Sequence, residues 1–395
     1  KILGKPSSLI SQDFPFAFGS TSLINSFWRE SGRLEDTLEL MDDGFPSYLQ
    51  LTRGHGAGAN SILRAEAMLM RGDDEEAKIL CHRAIFEARS HQQVSICICG
   101  ELVLARVAIL QGDAQGYVNA VENIKRYAKQ TPNLYILRMA DVCMSTLSLV
   151  LGSSEGVAQW LRSMDHMRQV LYAPAIPFAQ VLYSSFLITE KRYSEFYGLS
   201  QHVIDLAGSM NYMLTQVYYH LFLAVAKHQT RNDVEACKHL KDALLLALPD
   251  RIYLPFAQNW DVMGDLLESV VIGWAAPQAL YISPAQVAQN ANMARTKTLE
   301  AANLSEGRKK DISSLIALCK RQSKGAGIIR KAIIKTRSPL TPREREIALL
   351  FKERLSSQEI ANRLCISKAT AKTTIKNVYR KLDIHSRIEL NSVEF

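Results

Sequence analysis

Long unbroken apolar runs are missing from this chain. One of the longer uncharged ones, Val270 to Pro277, falls far short of the roughly 20 residues that a helix needs to span a bilayer. The opening KILGKPSSLIS has no sustained apolar segment of the kind a secretion signal requires. The chain therefore reads as cytoplasmic, with no membrane partner; because it begins with Lys and not Met, it also reads as a piece of something longer. Paired cysteine motifs are missing too. The seven cysteines (Cys81, Cys97, Cys99, Cys143, Cys237, Cys319 and Cys365) are odd in number, scattered, and nowhere spaced as CxxC. Small core residues in a reducing compartment are expected, with neither disulfides nor zinc. Nine histidines show no ligand spacing and HExxH does not occur, so no metal is expected. The only Gly-Lys pair, Gly4-Lys5, is followed by Pro, which leaves no phosphate-binding Walker sequence and no implied cofactor.

Two fragments imitate catalytic or phosphate motifs. Gly152-Ser153-Ser154-Glu155-Gly156 fits the G-x-S-x-G elbow, but that motif needs a strand before it; it reads as a turn. Arg53-Gly54-His55-Gly56-Ala57-Gly58 reads as a flexible interhelical loop for the same reason. No enzyme activity is expected.

What is present is helix-forming and unevenly charged. Hydrophobic residues make up 47% and charged residues 22% of the 395, an ordinary globular composition. The net charge of +8 is concentrated: residues 295–395 carry 23 Lys or Arg against 10 Asp or Glu, and the preceding 294 carry 24 against 29. A positive field confined to the last quarter suits nucleic acid as partner.

Arg71-Gly72-Asp73, Gln111-Gly112-Asp113 and Leu151-Gly152-Ser153 recur at a spacing of 40, and Lys191-Arg192-Tyr193 and Arg231-Asn232-Asp233 continue the register without Gly. Apolar-rich helices such as ILRAEAMLM precede these turns, and amphipathic ones such as EEAKILCHRAIFEA follow. The repeating unit is a helical hairpin, with Gly ending the first helix and Asp capping the second. Two helices per 40 residues predict a stacked solenoid. Pro-Phe-Ala-Gln at 177–180 and again at 255–258 extends it to about residue 273. Segments SPAQVAQNANMARTKTLEAANL and ISSLIALCKRQ read as further helices, and SKGAGIIRKAIIKTRSP as a basic connector. Aromatic residues such as Tyr218, Tyr219, Tyr253 and Trp260 read as core.

Three helix starts crowd the last sixty residues. Thr341-Pro342-Arg343-Glu344 and Ser356-Ser357-Gln358-Glu359 are capping boxes, while Ser367 opens a third helix with Thr370 in place of the acid. A carboxylate there would repel an approaching phosphate. Apolar stripes at Ile347, Leu350, Phe351; Ile360, Leu364; and Ala371, Ile375, Val378, Leu382 predict a small three-helix core, and the short Cys365-Ile366 link predicts a helix-turn-helix. Lys368, Lys372, Lys376 and Arg380 stack four apart, each like-charge pair costing a few tenths of a kcal/mol that phosphate contacts would outweigh.

Residues 340–387, with L-T-P-R-E, S-x-x-E-I-A, I-S-x-x-T and N-x-Y-x-K-L in order, closely resemble the LuxR-type DNA-binding domain. The preceding repeats resemble the tetratricopeptide-like superhelix of the MalT-like group of that family, without the tight 34-residue consensus. The resemblance implies an all-α chain: a superhelix over 1–273, additional helices and basic linker over 274–337, and a helix-turn-helix domain over 338–395. It implies Lys372, Thr373 and Lys376 at base edges of double-stranded DNA, with Lys368, Thr370, Asn377, Arg380 and Lys381 on the backbone. It further implies a small-molecule or protein effector on the superhelix, an ATPase ahead of it, self-association on DNA, and recruitment of RNA polymerase. Three positions depart from the family: Arg354 stands for Gly, Ala371 for Val and Thr374 for His. The alternative is a protein-interaction scaffold with an incidental basic tail.

Overall fold

The computed structural model describes residues 14–275, 291–337 and 340–392. Among the described residues every regular element is helical. The chain divides into two compact units, residues 1–327 and 328–395.

The first unit is built from α1 (Leu23–Phe27), α2 (Leu34–Thr52), α3 (Ala59–Arg71), α4 (Asp74–Ser90), α5 (Val94–Gln111), α6 (Ala114–Lys129), α7 (Leu134–Val150), α8 (Met164–Val170), α9 (Ile176–Thr189), α10 (Tyr193–Ser209), α11 (Met213–Gln229), α12 (Asp233–Ala247), α13 (Leu254–Gln258), α14 (Trp260–Ala275) and most of α15 (Ala291–Arg337). Consecutive helices from α3 to α7 and from α9 to α12 pack on one another, which is the stacked-hairpin solenoid that the repeat predicts. Helix α5 is long and apolar enough to cross a membrane, yet it is buried among its neighbours, as an all-round apolar helix in a protein core is.

The turns explain the period. Gly72, Gly112, Gly152, Lys191 and Arg231 all adopt left-handed φ, between 57° and 91°. At each, the next residue's N–H reaches back five positions, as in Asp73 N–H to the Met68 carbonyl at 2.9 Å. This Schellman closure satisfies the terminal carbonyls of the helix. The same closure recurs midway, at Gln92 (φ 57°), Asn211 (φ 56°) and Arg251 (φ 58°). The structural repeat is therefore one helix per twenty residues. Gly152 lies at such a turn, after a helix and with no strand beside it, so Ser154 sits in a turn. Pro177 and Pro255 each stand in the first turn of a helix, where proline's missing N–H costs nothing.

Two expectations are corrected. Residues 53–58 are not a flexible loop: all but Arg53 are buried. The Gly56 N–H donates to Gln93 Oε1 at 2.7 Å, and a Cβ on Gly58 would lie 2.6 Å from the Ala84 carbonyl oxygen. Residues 323–337, where the two units divide between 327 and 328, are not a loose connector either, since α15 runs helically through them to Arg337. Gly325 is there for contact, because a Cβ would stand 2.0 Å from the Ile109 carbonyl oxygen, where α15 crosses the end of α5. Residues 283–290 of the helix expected ahead of it lie outside the described residues.

The array closes on itself. Helix α13 packs on α3, and α1 on α11. Buried Asp250 accepts from Trp28 Nε1 and from the Leu34 N–H, each at 2.9 Å, tying the end of the array to its beginning. Arg321 on α15 pairs with Asp74 at 2.5 Å. Tyr218, Tyr219 and Tyr253 are buried and Trp260 half-buried, which makes them core. Five of the seven cysteines are buried; Cys237 is half-buried and Cys365 exposed.

Candidate nucleic-acid interface

The second unit is organised by its helix starts. In α16 (Pro342–Lys352), Thr341 Oγ1 accepts from the Glu344 N–H at 3.3 Å while Glu344 Oε2 accepts from the Thr341 N–H at 2.7 Å. In α17 (Ser357–Arg363), Ser356 and Glu359 repeat this box with the same two distances. In α18 (Lys368–Leu382), Ser367 Oγ accepts from the Thr370 N–H at 3.0 Å and no acid stands in the first turn. The positive end of the α18 dipole is left without a carboxylate on it.

Between α17 and α18 the chain reverses through Cys365 at φ 52°, and the Ile366 N–H closes on the Ala361 carbonyl at 3.0 Å. A non-glycine residue can hold this left-handed turn, so no glycine marked it in the sequence. Ile347, Leu350, Ile360, Ala361 and Ala371 form one buried cluster; Phe351, Leu364 and Ile375 pack against it. A second cluster of Leu340, Ala348, Val378, Ile384 and Leu390 was only partly foreseen. It exists because a fourth helix, α19 (Arg387–Ser392), follows and seats fully buried Leu390, so the core is not three helices alone. Arg387 fastens this addition: its guanidinium lies 4.1 Å from the Phe351 ring centre and donates to the carbonyls of Phe351 and Leu355. Arg354 keeps the left-handed turn that a glycine would favour, at φ 70°.

With Ala371 and Val378 turned inward, α18 directs a basic face outward. Lys368, Thr370, Lys372, Thr373, Lys376 and Arg380 are exposed, and Asn377 and Lys381 half-buried. Among the described residues no ion pair engages Lys368, Lys372, Lys376 or Arg380. Lys381 differs. Its Nζ lies 2.7 Å from Glu344 Oε2 and holds that carboxyl below its ordinary range, with the Thr341 N–H second in effect. Thr370 and Thr374 are also engaged within the helix, Thr370 Oγ1 with Ser367 Oγ at 2.8 Å and Thr374 Oγ1 with the Thr370 carbonyl at 2.9 Å. Glu344 was read from the sequence only as a capping acid and Arg387 not at all; that the first reaches Lys381 of α18 and the second Phe351 of α16 is visible only once the helices fold together.

Comparison with known proteins agrees with this geometry. Residues 338–393 match the family of bacterial regulatory proteins called the luxR family. The chain is 23% identical over 368 residues to the HTH-type transcriptional regulator MalT of Vibrio cholerae, an alignment covering 91% of this chain and 38% of that protein. It is 47% identical over 51 residues to the uncharacterised response regulatory protein YgeK of Escherichia coli, covering 13% of this chain and 35% of that protein. The chain thus spans well under half the length of these relatives. No solved structure matches it significantly. The C-terminal domain is thus a LuxR-family helix-turn-helix, and the helical array ahead of it is similar to part of MalT.

Proposed function

We propose that the chain is the receiving and DNA-reading portion of a bacterial transcriptional regulator acting in the cytoplasm, with α18 entering the major groove. One observation carries this reading: four cations spaced one helical turn apart, free of ion pairs among the described residues, on a helix whose other face is locked into a domain core. Like charges so placed disfavour the free helix and favour a polyanion, whose released counterions drive binding. Lys372, Thr373 and Lys376 lie at base edges, where Lys donates to guanine O6 and N7. Lys368, Thr370, Asn377 and Arg380 contact the backbone and set register.

The helical array is the receiver of an effector. A groove of about 480 Å³ among α4, α5 and α6, with Phe86 exposed and Arg89, Glu101 and Asn123 offering polar groups, supports that role. Self-association would place several domains on repeated half-sites and raise affinity without new contacts, and RNA polymerase is the downstream partner. Selection of binding sites from random duplexes tests the reading. Lys376→Ala should blur sequence preference by about 1–3 kcal/mol at one position, whereas Arg380→Ala should weaken all duplexes alike. If both substitutions act equally on every sequence, the base contact is wrongly assigned.

A further inference from the structure

His220 lies on α11, and His239 and Asp242 lie three residues apart on α12. Nineteen residues separate the two histidines in sequence, yet folding the hairpin brings their Nδ1 atoms to 3.3 Å and their ring centres to 5.6 Å. His220 Nδ1 stands 3.9 Å from Asp242 Oδ2, and the ligand atoms of all three residues lie within 4.8 Å of one another. All three residues are half-buried, reachable by an ion and sheltered from bulk water on one side.

The separation of the two nitrogens is informative. With zinc–nitrogen bonds of about 2.0–2.1 Å, the edge of a tetrahedron between two ligand nitrogens is about 3.3–3.4 Å. The imidazoles already stand at that edge. Asp242 Oδ2 stands about 0.5 Å beyond that edge from His220, with the spread of the three ligand atoms reaching up to 4.8 Å, so its side chain must rotate inward to complete a face.

We propose that His220, His239 and Asp242 form a divalent transition-metal site, zinc by its donor set, that clamps α11 to α12 and leaves one coordination position to water. Two imidazoles and one carboxylate suit zinc, cobalt, nickel or copper and disfavour the all-oxygen shells of magnesium and calcium. Both rings then carry their hydrogen on Nε2 and present lone pairs at Nδ1. The competing account is a plain hydrogen bond between two neutral rings, one Nδ1 donating to the other; it needs no ion and gives Asp242 no role.

Cobalt titration of the whole chain, stripped of metal by chelation, separates the two. The expected result is the intense visible spectrum of low-coordinate cobalt, saturating at one ion per chain and abolished by added zinc. His239→Gln and Asp242→Asn should each weaken binding about ten-fold or more, since even groups that only orient a ligand cost about 10–100-fold. His202→Gln, an exposed histidine on α10, should change nothing. Zinc should raise the melting temperature of the unsubstituted chain more than that of Asp242→Asn. The spectrum of the unsubstituted chain decides the matter even if a variant fails to fold. Only the faint spectrum of hydrated cobalt, or equal losses in His239→Gln and His202→Gln, would overturn the site.

Discussion

At the scale of single residues, Lys381 and Arg380 are adjacent cations with different work. Arg380 is exposed and unpaired among the described ion pairs, whereas Lys381 is half-buried against Glu344. Arg380→Ala should flatten the dependence of DNA affinity on salt by about one unit of slope, and Lys381→Ala should leave the slope while lowering the domain's stability. Affinity measured across salt concentrations, beside denaturant unfolding, distinguishes them. The pair also predicts a pH effect. Lys381 lowers the pKa of Glu344 in the folded state, so its stabilisation is complete above the unfolded carboxyl's pKa and is lost as pH falls through the lowered folded value. Glu344→Gln should therefore be less stable than the unsubstituted domain near neutrality, with the gap closing under acid; a gap independent of pH would remove the ion pair from the account. The capping boxes and the apolar stripes of this domain were legible because they are local patterns. The assignment of Lys381 was not, since Glu344 lies 37 residues away and sequence spacing says nothing about which cation it reaches.

At the scale of elements, left-handed helix ends set the repeat, and glycine reports only some of them. Gly72, Gly112 and Gly152 exposed the forty-residue period, but the intermediate turns at Gln92, Asn211 and Arg251 use side chains that tolerate φ near 57° at a cost of about 1–2 kcal/mol, so composition does not mark them. The converse holds in α15, where two glycines ahead of a proline suggested a connector and the chain is helical to Arg337. They are not equivalent. A Cβ on Gly325 would meet the Ile109 carbonyl oxygen at 2.0 Å, whereas one on Gly327 would meet nothing within 4 Å. Gly325→Ala should destabilise the first unit by about 1–3 kcal/mol through overpacking, and Gly327→Ala should stabilise it by about 1 kcal/mol through helix propensity. Thermal unfolding of the two variants should thus move in opposite directions; a shared direction would mean that α15 does not cross α5 closely. In the second unit Arg354, at φ 70°, offers a milder version of the same test. Arg354→Gly should raise stability by up to about 1 kcal/mol, because relief of left-handed strain exceeds the added chain entropy only slightly.

At the scale of the whole molecule, the solenoid could be read from periodicity but its closure could not. Asp250 meets Trp28 across 222 residues, a pairing that no periodic pattern announces. That closure makes residues 1–327 a unit with its own long-range contacts, while the second unit has two apolar clusters of its own. Each should unfold on its own terms, and DNA affinity should reside in the smaller. Each neutralised phosphate contributes about 0.9 to the slope of log affinity against log salt, so Lys368 and Arg380, the two exposed α18 cations assigned to the backbone, predict a slope of about −2 for residues 328–395 alone. The full chain should show the same slope per bound domain, because the larger unit, with 32 Lys or Arg against 32 Asp or Glu, carries no net positive charge. Any further gain in affinity must then come from several domains acting on spaced half-sites, and should vanish on a duplex holding one half-site. A fragment with a flat salt slope, binding no better than another protein of equal charge, would instead favour the interaction-scaffold reading, with α18 as a solvated face.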